Sequence, residues 1–137
     1  MSLRFGTTMK EHDAQQMSAL QLAYLGDSVW ELIVRYELIM HKYNVHHMHK
    51  SCVNLVNAHS QADILQKLQE QLTEDEKEIV RRGRNAHARH TAPRNQSPDE
   101  YAAATGFEAL FGYLYLTGQN ERISELVRNI TEVHENG

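Results

Sequence analysis

Leu25-Gly26-Asp27-Ser28-Val29-Trp30-Glu31 sets a carboxylate directly behind a glycine, inside a run that otherwise repeats apolar residues at helical spacing. Outward from it, Met17, Leu20, Tyr24, Leu25, Val29, Leu32, Tyr36 and Ile39 recur at threes and fours. That spacing predicts one buried stripe on a long first helix, from about Asp13 to Met40. A glycine in a helix interior costs about 1 kcal/mol relative to alanine. Gly26 therefore points to a close helix crossing or to access to Asp27. Far downstream, Gly106-Phe107-Glu108-Ala109-Leu110-Phe111-Gly112 repeats the device. Helices keep unpaired carboxylates out of apolar company, because burying charge is expensive. Two such acids on separate helices suit a hard cation such as magnesium. The plain alternative is that Asp27 caps or forms an ion pair and Glu108 lies on a surface.

Beyond the first helix, residues 41–50 (HKYNVHHMHK) hold His41, His46, His47 and His49. Their spacing fits no standard zinc pattern, and a solvated interhelical loop is expected. A second amphipathic helix follows over about 51–69, carrying Val53, Val56, Ile64 and Leu68. Thr73-Glu74-Asp75-Glu76 is a capping box that starts a third helix ending near Arg82 or Arg84. Ser97-Pro98-Asp99-Glu100 starts a fourth, with serine as N-cap and proline at the first helical position; Gly118 stops it after Leu116. A fifth, over about 120–133, is carried by Ile123, Leu126, Val127 and Ile130. Nothing alternates as strands do, so the expected class is all-α: a leader over 1–12 and one helical domain over 13–137.

Between Arg81 and Arg94, RRGRNAHARHTAPR contains five arginines and two histidines without one acid, in a chain whose net charge is −4. Such concentration confines positive potential to one place, where phosphates can be neutralised. Arg81, Arg82, Arg84, Arg89 and Arg94 are the candidate contacts, and Asn85 can add a neutral hydrogen bond. A merely solvated loop is the other reading. No aromatic side chain interleaves the arginines, which favours duplex backbone over stacked single strands. The lone Cys52 closes no intrachain disulfide and reads as a small buried thiol. With no apolar run of membrane-spanning length and no secretory signal pattern, the expected location is cytoplasmic, without a membrane partner.

Leu25-Gly26-Asp27-Ser28-Val29 resembles the signature of the ribonuclease III catalytic domain, and Phe107 to Leu116 (FEALFGYLYL) resembles its second acidic motif. With Arg81-Arg82-Gly83-Arg84-Asn85 ahead of the second motif and no appended double-stranded-RNA-binding domain, the chain from about Asp13 onward is similar to the reduced Mini-III branch. The resemblance implies the ribonuclease III helical endonuclease fold and an obligate homodimer with a valley for double-stranded RNA. It implies Asp27 and Glu108 as paired catalytic acids holding Mg2+, for which Mn2+ can substitute. It implies cleavage to 5′-phosphate and 3′-hydroxyl ends, with precursor large-subunit ribosomal RNA as substrate and a ribosomal protein as a candidate partner on that RNA. Where the larger enzymes carry two further acids, this chain has Ala23 and Thr105. Glu31, one turn past Asp27, is a candidate for a supporting role near the cation.

Overall fold

A computed structural model describes residues 5–41, 44–86 and 97–136; for residues 49 and 131–136 only the backbone is described. Among these residues every regular element is helical: α1 (Glu11–Gln15), α2 (Ala19–Met40), α3 (Val45–Val56), α4 (Ala58–Leu68), α5 (Glu74–Ala86), α6 (Pro98–Leu116) and α7 (Asn120–Asn136). A short 3-10 turn, Gln69–Gln71, links α4 towards α5. The all-α expectation holds.

The bundle is organised around α6. It packs against α1, α2, α4, α5 and α7, and its middle, from Ala103 to Leu114, is buried almost continuously. A helix apolar all round belongs inside a bundle. Its start and stop are local chemistry. Ser97 accepts the Glu100 N–H, Pro98 occupies the first turn, and Gly118 takes a left-handed φ of 73° after the last turn. Phe107 and Phe111 meet Trp30 of α2, with centroid separations of 4.9 and 5.5 Å. The indole N–H of Trp30 donates to the Leu55 carbonyl at 3.0 Å and so ties α3 to the same cluster.

Three glycine contacts bring neighbours onto α6 more closely than side chains allow. A Cβ on Gly26 would lie 1.6 Å from the Glu108 carbonyl oxygen, and one on Gly112 would lie 1.9 Å from that of Leu22. On the α5 side, a Cβ on Gly83 would stand 2.6 Å from the Gly106 Cα.

Several local expectations are corrected. The single helix over 13–40 is broken after Gln15, because Ser18 caps a new helix. Its side chain accepts the Gln21 N–H while Gln21 reaches back to the Ser18 N–H. Most of the stripe expected to be buried faces outward: Leu20, Tyr24, Leu32, Tyr36 and Ile39 are exposed, Tyr24 at 86%, while Met17 and Val29 do pack against the core. Leu22, Ala23, Gly26, Trp30, Val34 and Leu38 face the core instead. Apolar residues line both sides of α2, so spacing alone does not choose between them. From Val45 on, the histidine-rich segment is helix and not the expected loop, since Asn44 caps α3 and His46 and His47 lie in its first turn. The helix expected over 51–69 is two, separated at Asn57, which caps α4 through the Ser60 N–H. The third helix runs on to Ala86, so Arg81, Arg82, Arg84 and Asn85 are helical.

Other expectations stand. Thr73 and Glu76 form the reciprocal capping box at 2.9 and 3.2 Å. Glu76 also accepts two hydrogen bonds from Arg122 on α7, at 2.8 and 2.9 Å, so a cap is also an ion pair between helices. Burial opposes ionisation of Glu76, but Arg122 and the Thr73 cap outweigh it and hold the carboxyl below its usual range. Cys52 is buried.

Candidate active site

Asp27 and Glu108 meet because their backbones do. Gly26 seats α2 on the Glu108 carbonyl, and the residue after Gly26 then projects its carboxylate towards the Glu108 side chain. The two carboxyl groups are in hydrogen-bonding contact. Asp27 is exposed while Glu108 is half-buried, so the pair sits at the mouth of the crossing. Burial, and then the hydrogen bond and negative charge of Asp27, push the Glu108 carboxyl up to about 8. Without a counter-charge Glu108 therefore keeps its proton at neutral pH.

Two hard oxygen donors forced together suit a magnesium or manganese ion, which takes one or two protein carboxylates and completes its shell with water and phosphate oxygens. Asp27 and Glu108 are the residues that would hold it. Among the described residues no cluster of three or more His, Cys, Asp or Glu side chains is placed to hold a metal. The thinned positions are structural: Ala23 belongs to the core, and the buried Thr105 donates its hydroxyl to the Tyr101 carbonyl.

Glu31 is engaged elsewhere, accepting from Arg35 at 2.6 Å. The arginines of α5 divide by environment. Arg82 is half-buried and donates to the Gln15 and Met17 carbonyls at 2.7 and 2.6 Å, clamping the junction of α1 and α2. Arg81 is exposed and paired with Glu78, its Nε donating at 2.8 Å. Arg84 and Asn85 are exposed. The Gly83–Gly106 contact brings the Arg84 stem against α6, two positions before Glu108. Arg89 and Arg94 lie outside the described residues.

A further residue belongs to the site. Gln61 of α4 is 2% exposed, and its side-chain nitrogen is buried with no hydrogen-bond partner among the described residues. It faces the Glu108 carboxyl closely enough to favour the ionised form. Leaving a buried amide donor unpaired costs about 1–3 kcal/mol. The sequence carried a signal for it: Gln61 shares the buried face of α4 with Ile64, Leu65 and Leu68, where an amide is out of place.

The family model described as Ribonuclease III domain matches residues 20–119. A Mini-ribonuclease 3 of Symbiobacterium thermophilum is 50% identical over 86% of this chain and 91% of its own length. One from Clostridium tetani is 35% identical over 95% of this chain and 87% of its own. A crystal structure of a protein from Fusobacterium nucleatum superposes with a TM-score of 0.80 at 33% identity, covering 92% of this chain and 99% of that one. The chain belongs to the ribonuclease III family, in its Mini-ribonuclease 3 group.

Proposed function

We propose that this chain is a Mg2+-dependent endoribonuclease that cuts double-stranded RNA, leaving 5′-phosphate and 3′-hydroxyl ends. The observation that carries the reading is the contact of Asp27 with Glu108 across the Gly26 crossing, a carboxylate pair that a divalent cation would stabilise. Bound there, Mg2+ would supply an activated water for attack on the phosphodiester and would offset charge on the leaving oxygen. Asp27, which is exposed, and Glu108, which is half-buried, are the residues that would hold it. The duplex is held by Arg84, Asn85 and Arg81 on α5, with Arg89 and Arg94 as further contacts; Arg82 supports them by fixing α5 to the start of α2.

The active species is a homodimer. The exposed stripe of α2 (Leu20, Tyr24, Leu32, Tyr36, Ile39) and the exposed Val45 and Val53 of α3 form an apolar surface that suits a second copy. A groove of about 410 Å³ between α2 and α3 lies beside it. The substrate is precursor large-subunit ribosomal RNA in the cytoplasm. No helix among the described residues is long and apolar enough to cross a membrane.

The test is incubation of the protein with an RNA duplex and Mg2+, beside Asp27→Asn and a chelated control. Cleavage by the unaltered protein alone is expected. Cleavage in all three reactions, or in none, overturns the proposal.

A further inference from the structure

Gln61 has no role in capping or in closing α4. Asn57 supplies the cap through Ser60, and the Gln61 main chain is already bonded to the Asn57 carbonyl at 3.1 Å. Its side chain is buried on the α4 face that packs against α6, with the amide nitrogen unpaired, and Glu108 is the α6 carboxyl that its amide acts on. A methionine would fill the same space without stranding a donor, so packing gives no reason for an amide. The neighbouring polar side chains are committed: His59 pairs with Glu100, and the Ser60 hydroxyl donates to the Asn54 carbonyl. Of the polar groups at this turn, the Gln61 amide alone is left for Glu108.

We propose that Gln61 is a positioning residue for the cation site, its amide donating to the Glu108 carboxylate and keeping it aimed for the ion that it shares with Asp27. The role rests on the cation reading above. Asp27 and Gln61 both act on Glu108, one contributing negative charge and the other an N–H. Outer partners that orient a ligating carboxylate commonly change metal affinity by about 10–100-fold when removed.

The experiment uses Mn2+ alone as the probe, titrated by electron paramagnetic resonance into the whole protein without RNA, for the unaltered chain, Gln61→Met and Glu108→Gln. The unaltered chain should bind Mn2+ and Glu108→Gln should not. Gln61→Met should bind at least tenfold more weakly, while its thermal midpoint stays level or rises because a buried orphan donor is gone. Unaltered Mn2+ affinity in Gln61→Met overturns the role of Gln61 and leaves the cation reading standing. Failure of the unaltered chain to bind Mn2+, or binding by Glu108→Gln as tight as by the unaltered chain, overturns both. A Gln61→Met protein that melts early marks the amide as a packing element and overturns the role as well.

Discussion

Gly26 and Glu108 stand backbone to backbone, with 1.6 Å between the Glu108 carbonyl oxygen and the place a Gly26 side chain would begin. The acidic pair follows from that contact. Gly26→Ala must push α2 away from α6, a cost at the upper end of the roughly 1–3 kcal/mol typical of overpacking, since backbone cannot swing aside as a side chain can. A thermal midpoint lowered by several degrees and a steep loss of RNA cleavage are expected. Gly6→Ala, with open space around it, should change neither.

Asp27→Asn and Glu108→Gln separate chemistry from folding. Each should lower cleavage by about 10³-fold or more through loss of a cation ligand. Neither should lower the thermal midpoint at neutral pH in the absence of Mg2+, because Glu108 is then protonated and either amide can keep the hydrogen bond between the two side chains. Single-turnover cleavage beside calorimetry checks both statements.

The pH dependence of stability has a definite sign. Unfolded, Glu108 titrates in the ordinary carboxylate range; folded and cation-free, it titrates at about 8. Between those values the native chain binds a proton that the unfolded chain has released, so this stabilisation is complete at low pH and is lost as pH rises through about 8. Denaturant melts should show a loss on the order of a few kcal/mol across that window. Glu108→Gln should flatten it, and saturating Mg2+ should restore stability at the alkaline end. A profile unchanged by Glu108→Gln would remove the assignment.

Arg82 and Arg84 should part company. Arg82→Ala leaves the Gln15 and Met17 carbonyls without their donor and is expected to cost about 1–3 kcal/mol in a urea melt. Arg84→Ala should leave the melt unchanged, weaken duplex RNA binding, and lower the slope of log affinity against log salt by about 1.

Legibility in the sequence followed how local each cause was. The caps at Thr73 and Ser97 and the stop at Gly118 involve partners within four residues and were readable directly. The Ser18 and Gln21 cap is equally local, but the apolar spacing running through it hid the break. The inward face of α2 is not legible locally, because the deciding contact, Gly26 on Glu108, joins residues 82 positions apart. Arg82 and Arg84 are chemically alike in a run of arginines; only the carbonyls brought up by α1 tell them apart. Gln61 stood on a buried face, yet its relation to Glu108 exists only once α4 and α6 pack.

The position of α6 has a kinetic meaning. A helix enclosed by five others cannot open by itself; its amides reach solvent only when α2, α4 or α5 has already come away. Native-state hydrogen exchange should therefore rank residues 103–114 slowest in the molecule, at the free energy of global unfolding, and the outer turns of α3 among the fastest. Glu108 is thereby carried on the segment that opens last and Asp27 on a helix with one face in water, so fluctuations that admit substrate reach one acid and leave the other in place.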